Sequence, residues 1–334
     1  MRKGKQTFIF DNPPSIISTG TIVGNRESEG PLGEYFDEAL EDDIYGEKSF
    51  ELAECKMQKQ AIQIALKKAD LTFDHIDAIV SGDLLNQIFA SSFSARDFDA
   101  AFFGLYGACS TYGEGLIIAS MLLNTGMFEH ILVSSSSHFS SAERQYRFPL
   151  ELGNQRVPTS QWTVTGAGST ILSNESIDGF PKITAVTAGK VIDYGITDVN
   201  NMGAAMAPAA YDTITKHFSE TERNPNYYDL IATGDLGRFG SELLIHLCQE
   251  DGCTLPKSYT DCGKMIFSPE QKTFQGGSGA GCSNVVFNGF IYKQMMQNKF
   301  KKVLLVPTGA LLSKDSPLQK QSIPSIAHAI AIEM

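Results

Sequence analysis

Cys109 stands in Leu105-Tyr-Gly107-Ala-Cys109-Ser110-Thr111, where an expected strand ending at Tyr106 turns into an expected helix opening at Thr111. A thiol at that place feels the positive end of the helix dipole, which favours the thiolate and makes Cys109 a candidate nucleophile. The same place suits a bound anion, because the backbone N–H groups that open the helix, with the hydroxyls of Ser110 and Thr111, form a seat for a carboxylate. A third reading is simply a small residue under a tight turn after Gly107. Two further residues call for chemistry by position. Asp83 in Gly82-Asp-Leu84 and Asp235 in Gly234-Asp-Leu236 each end an expected strand, where α/β folds bind ligands and where a carboxylate equally well caps its own turn. Asn86 and Gln87 follow Asp83 on the same loop, within reach of ligand oxygen atoms.

The other titratable groups offer less. Of the 6 histidines, His75, His130 and His217 lie by polar turns or helix ends and read as solvated. His138, just past a strand where pockets draw residues, and His328, at the start of the last strand, read as hydrogen-bonded and structural. No two have metal-ligand spacing. The 6 cysteines lie apart without a CxxC pair, so neither a disulfide framework nor a zinc ribbon is indicated. The Gly276–Gly281 loop looks like a phosphate cradle but carries no Lys and follows no Walker pattern, which excludes a nucleotide reading.

The elements that must hold these residues are repeated. Asp77-Ala-Ile-Val-Ser-Gly-Asp-Leu84 recurs as Asp229-Leu-Ile-Ala-Thr-Gly-Asp-Leu236, and Ala108-Cys-Ser110 answers Gly281-Cys-Ser283. His130-Ile-Leu-Val133 answers Lys302-Val-Leu-Leu305 in turn. The order is kept while the offset grows, so the second half carries an extra loop, placed between Cys248 and Gln275. Helical spacing over Glu51–Ala69 and Thr111–Leu123 alternates with short apolar runs at Ile76–Val80, Ala101–Tyr106 and Ile131–Ser134. Trp162–Leu172 reads as a closing hairpin kinked at Gly166-Ala-Gly168. In the second half Ala205–Phe218, Asp229–Thr233, Ser241–Gln249, Ser283–Met296, Val303–Pro307 and His328–Ile332 follow the same plan. Alternating strands and helices imply an α/β fold.

Composition agrees. The 334 residues are 42% hydrophobic and 19% charged, enough apolar material for a large core. A net charge of −11 without a basic cluster argues against nucleic acid. The first residues run straight into Asp11-Asn-Pro-Pro14 with no apolar core for a signal peptide, and no run approaches the ~20 apolar residues of a membrane span. A soluble chain is expected.

The duplicated plan, Gly107-Ala-Cys109-Ser110, Gly166-Ala-Gly-Ser-Thr-Ile-Leu172 and Gly276-Gly-Ser-Gly-Ala-Gly281 resemble the thiolase superfamily, nearest the ketoacyl synthase III type. Within it the chain is most similar to the stage V sporulation protein AD family of spore-forming bacteria. The stretches that carry this include Glu29-Gly-Pro-Leu-Gly33, Gly82-Asp-Leu-Leu-Asn-Gln87, Asn201-Met-Gly-Ala-Ala-Met-Ala-Pro-Ala-Ala210, Thr233-Gly-Asp-Leu-Gly-Arg-Phe-Gly-Ser-Glu242 and Thr308-Gly-Ala-Leu-Leu-Ser313. The resemblance implies a thiolase-like fold, two duplicated halves in a layered αβαβα architecture, here divided as 1–178 and 179–334. It also implies a homodimer that binds dipicolinate (pyridine-2,6-dicarboxylate) or its calcium complex. Such a protein would act peripherally at the spore inner membrane with the other stage V sporulation A proteins.

In the ketoacyl synthase III pattern a His and an Asn complete the thiol's site. Here the His position falls at Gly234 or Asp235, the Asn position near Gly277 or Ser278, and no second cysteine stands near Gln321. The resemblance therefore implies binding without catalysis and leaves Cys109 a vestigial nucleophile; the alternative is an acyltransferase that uses it. A dianion needs positive partners, for which Lys190, Arg238, Arg144 and Arg147 are candidates. The expected ligand set is then Asp83, Asn86, Gln87, Cys109, Ser110, His138, Lys190, Asp235, Arg238 and Ser278. No resident cofactor or metal is expected, calcium entering only with the ligand, where Asp83 or Asp235 could help hold it.

Overall fold

A computed structural model describes residues 1–146, 150–153 and 155–334. Its first half contributes β1 (Ser15–Val23), β2 (Ala78–Gly82), β3 (Ala101–Gly104), β4 (His130–Ser137) and β5 (Gly166–Ser173). The second contributes β6 (Lys182–Thr187), β7 (Leu230–Thr233), β8 (Tyr259–Asp261), β9 (Lys302–Val306) and β10 (Ala329–Glu333). The strands lie in the order β8-β7-β9-β10-β6-β1-β5-β4-β2-β3. Read outward from the β6–β1 junction, the two halves have one topology, 1-5-4-2-3 and 6-10-9-7-8. In each, the strand next to the first is antiparallel to both its neighbours and the outer three are parallel. The duplication seen in the sequence is thus a duplication of the sheet.

Strand periodicity sends alternate residues to two different layers. Ile79, Leu132 and Ile171 face outward onto Ile62, Ala65 and Leu66 of α1 (Phe50–Ala69). Ala78, Val80, Ile131 and Val133 face inward, onto Tyr112 and Leu116 of α2 (Thr111–Leu123). The second half repeats this. Ile231, Leu304 and Ala331 pack outward on Met206, Ala210 and Ile214 of α3 (Met202–Thr221) and on Leu244 of α4 (Gly237–Glu250). Leu230, Ala232, Val303 and Leu305 pack inward with Val285 and Phe287 of the helical run α5 (residues 282–296). The result is five layers, αβαβα, with α2 and α5 in the middle. A middle helix must be apolar all round, and α2 is: its one charged residue is Glu114. Gly113 and Gly115 let it lie close, since a Cβ would meet Pro307 Cγ at 2.9 Å and Val133 Cγ1 at 2.7 Å.

The structure revises three details. β5 is a single unbroken strand paired with β1 from Gly166↔Val23 to Ser173↔Ser15, not half of a hairpin. Trp162–Thr163 leaves it to pair in parallel with Gly277–Ser278. Gly168 is small because Asn284 approaches: a Cβ would stand 2.0 Å from its Oδ1. The leading strands β1 and β6 are additional to the elements expected, and so is β8, which lies within the supposed extra loop. The true insertion follows β8, where residues 262–281 replace residues 105–108 of the first half.

Candidate functional site

The two halves meet at a cleft with about 480 Å³ of empty space. Cys109 is part of its lining. Leu84, Tyr106, Ala142, Glu143 and Tyr146 line it from the first half, and Met202, Ser278, Gly279, Ala310 and Leu312 from the second. Cys109 gets there through a tight turn, Ala108–Ser110, that opens α2. Ala108 takes φ 50°, a left-handed conformation that costs a non-glycine residue about 1–2 kcal/mol.

The chemistry around the thiol is a hydrogen-bonded chain that ends in a buried acid. Cys109 Sγ is 3.8 Å from Ser278 Oγ, and Ser278 Oγ donates to Asp235 Oδ2 at 2.8 Å. Gly279 N–H donates to the same oxygen at 3.0 Å, and Thr308 Oγ1 donates to Asp235 Oδ1 at 2.8 Å. Burial pushes the Cys109 thiol well above its usual range, and the Asp235 carboxylate beside it adds to the shift. Burial also raises Asp235 itself, against the hydrogen bonds it accepts. The expectation that the helix terminus would favour a thiolate is therefore reversed. Burial and a neighbouring acid outweigh a dipole worth about 0.3–1 kcal/mol.

The anion seat is also spent. Ser110 N–H bonds to Gly107 O at 3.0 Å, and the Thr111 N–H to Ala108 O. The hydroxyls of Ser110 and Thr111 turn back to the same two carbonyls, each at 2.7 Å.

The structure brings Cys109 and Ser278 to the cleft wall, with Asp235 directly behind them, and distributes the rest of the expected set elsewhere. Asp83 is fully buried and accepts from Leu85 N–H at 2.8 Å and Ser91 N–H at 2.7 Å, so it caps its own loop. Asn86 and Gln87 are exposed, Asn86 on a neighbouring groove shared with Glu51, Phe89 and Arg144. His138 is buried, with Nε2 on Asp43 O at 2.8 Å and Nδ1 accepting from Ser140 N–H; burial lowers its pKa. Lys190 is 56% exposed and paired with Asp212 at 2.9 Å. Arg238 turns to Phe274 O, and Arg144 to Glu51. Arg147 lies outside the described residues. His217 is buried rather than solvated, between Thr187 Oγ1 and Tyr228 OH, and burial followed by the Arg223 charge lowers it to about 3. Among the described residues no three His, Cys, Asp or Glu side chains are grouped to hold a metal ion, and no helix is long and apolar enough to cross a membrane.

Several cleft residues were not singled out from sequence. Tyr106 and Tyr146 are joined OH to OH at 2.9 Å, and Tyr146 OH also donates to Leu84 O. Thr308 had a signal, since it stands in one of the stretches quoted above. Arg156, joined to cleft-lining Glu143 at 3.0 Å, had none.

Comparison with known proteins gives this geometry its setting. Residues 4–333 match the family model of stage V sporulation protein AD (SpoVAD). The stage V sporulation protein AD of Bacillus subtilis (strain 168) is 44% identical over 330 residues, 99% of this chain and 97% of that protein. Among solved structures, the 3-oxoacyl-[acyl-carrier-protein] synthase III of Aquifex aeolicus VF5 superposes with a TM-score of 0.60 at 12% identity, covering 96% of this chain and all 100% of that one. OleA of Xanthomonas campestris superposes with 0.63 at 13% identity, covering 98% and 100%. At such identities the structural likeness shows the fold alone. The sequence matches reach further, and with a thiolase-like fold this chain belongs to the stage V sporulation protein AD family.

Proposed function

We propose that this chain is a sporulation protein that binds dipicolinate, free or with calcium, in the cleft above Cys109, without acyl transfer. It would serve the uptake of dipicolinate into the developing spore, with membrane-embedded stage V sporulation A partners and the chain docked at the inner membrane. One observation carries the non-catalytic part: where condensation needs a base and oxyanion donors, Cys109 faces Ser278 and the buried Asp235. Burial, with the neighbouring carboxylate adding to it, holds the thiol protonated, and that carboxylate would repel a developing oxyanion. The lining suits a small planar ring, with Tyr106 and Tyr146 from the first half and Met202 and Leu312 from the second. Among the described residues no Lys or Arg lines the cleft, so the ligand's charge must be met by calcium or by a cation behind the lining.

The assembly we propose is a homodimer across β3. Phe102 and Phe103 are 37% and 39% exposed on this outer strand, an apolar edge of the kind natural sheets cover. A second copy paired antiparallel about a two-fold axis covers it.

The alternative, an acyltransferase with Cys109 as nucleophile, is favoured only by the position of the thiol in the cleft lining. One set of samples separates the readings. Calorimetric titration should show dipicolinate binding, with Trp162, next to cleft-lining Thr163, reporting it by fluorescence. Incubation with acetyl-CoA or malonyl-CoA should leave the intact mass unchanged. Light scattering should read twice 36.4 kDa. A stoichiometric acyl adduct on Cys109 would falsify the binding-only reading.

A further inference from the structure

We propose that Arg156 is the cation that receives the ligand's carboxylate, and that Glu143 occupies the place this carboxylate takes. The inference rests on the dipicolinate reading of the cleft and adds the means of recognition.

Glu143 is a buried carboxylate in the wall of a site for a dianion, which by itself should repel the ligand. It is balanced by Arg156, whose Nη1 donates to Glu143 Oε1 at 3.0 Å. The guanidinium is well prepared. It lies over Trp162 at 5.1 Å and Phe139 at 5.6 Å from the ring centres, and these rings stack on each other at 3.9 Å. Nη2 donates to Gln161 O, and the buried Nε–H has no acceptor. An arginine seated against two rings and anchored through Nη2 presents Nη1 to a carboxylate oxygen at little cost in side-chain entropy.

Glu143 comes from the helix Phe139–Tyr146, which also presents Ala142 and Tyr146 to the cleft. An incoming carboxylate can take its place on Nη1 when the Glu143 side chain swings aside, one anion replacing another on the same nitrogen. Two tyrosines in the lining and an exchangeable cation behind it select planar aromatic carboxylates. A neutral ring of the same shape gains the walls but cannot displace Glu143, because it offers Arg156 no charge.

Calorimetric titration of the parent, Arg156→Met, Arg156→Lys and Glu143→Gln tests this, using dipicolinate with and without calcium beside the uncharged pyridine-2,6-dicarboxamide. Arg156→Met should weaken dipicolinate tenfold or more and leave the diamide unchanged, with Arg156→Lys between the two. Glu143→Gln should tighten dipicolinate severalfold, again without moving the diamide, and it keeps the test decisive if Arg156→Met folds poorly. Should the parent bind dipicolinate while both Arg156→Met and Glu143→Gln bind it equally well, Arg156 plays no part and only this inference fails. A parent that binds neither compound overturns the dipicolinate reading, and this inference with it.

Discussion

Asp83 and Asp235 end the same motif in the two halves, yet they do different work. Asp83 spends both oxygens on its own loop, on the N–H groups of Leu85 and Ser91. Gly237, the counterpart of Leu85 in the repeat, donates its N–H to Asp261 instead, at 3.0 Å, and Leu236 N–H joins it at 2.9 Å. Asp261 ends β8, opposite Thr233; in the first half the matching place on β3, opposite Ser81, is Gly104. One added carboxylate on an outer strand thus takes over the capping of the loop. Asp235 is released to reach Ser278, Gly279 and Thr308 at the thiol. The comparison shows how a duplicated fold frees one of two identical residues: a substitution elsewhere assumes its structural duty.

The largest expected effect breaks the structural side of this pair. Asp83→Ala leaves two buried N–H groups without acceptors, and at about 1–3 kcal/mol for each the loss should be about 2–6 kcal/mol. Melting should show a marked fall in Tm, while dipicolinate affinity measured on the folded protein stays within about twofold of the parent, well under the ~1.4 kcal/mol of a tenfold change. An Asp83→Ala variant as stable as the parent but unable to bind would reverse the assignment and place Asp83 in the cleft's chemistry.

The functional side is tested more gently by Asp235→Asn, which keeps an acceptor for Ser278 and Gly279 and offers Thr308 a donor. It removes the charge from beside the thiol but not the burial, which is the larger cause of the raised pKa. Alkylation of Cys109 by iodoacetamide at pH 8 should therefore be slow in the parent and only about tenfold faster in the variant, the effect of about one pKa unit. Peptide mass spectrometry, with half-buried Cys253 as internal standard, reads it. Asp83→Asn should leave the rate unchanged. Equal rates in parent and Asp235→Asn would mean that the carboxylate does not act on the thiol.

The sequence shows the repeat, the strand ends and Cys109, because each is a local pattern of residue types. It does not show which carboxylate caps which loop. Asp261 lies in Ser258-Tyr-Thr-Asp-Cys262, a stretch with no motif, and its bonds to Leu236 and Gly237 exist only once β8 pairs with β7. β1 and β6 are hard to recognise for a related reason. Serines and threonines interrupt the apolar pattern, and their hydroxyls find partners only in the folded layers, as Ser18 does on Ala65 O and Thr19 on Asn288 O. His217 reads as solvated because its partners, Thr187 and Tyr228, lie on other elements. Arg156 is one lone arginine among many until Trp162 and Phe139 close around it.

The smallest expected effect sharpens the comparison at Asp261. Burial raises this carboxyl to about 7, against the hydrogen bonds it accepts. The unfolded chain ionises the same group near its ordinary 3.8. A group whose folded pKa is the higher one gives its full stabilisation below the unfolded value and loses it as pH rises through the folded value. Asparagine does not titrate, so Asp261→Asn carries no such term, while its single acceptor leaves Leu236 or Gly237 unpaired at every pH. The parent should therefore be the more stable protein throughout, but by a margin that narrows from pH 5 to pH 8. The change is at most about 1.4 kcal/mol per pH unit, a few degrees of Tm for a chain of this size. Melting both proteins at a series of pH values reads the margin. A margin that widens toward pH 8 would show Asp261 held as a carboxylate in the folded protein, and the release of Asp235 would then need an account based on charge rather than on hydrogen bonds alone.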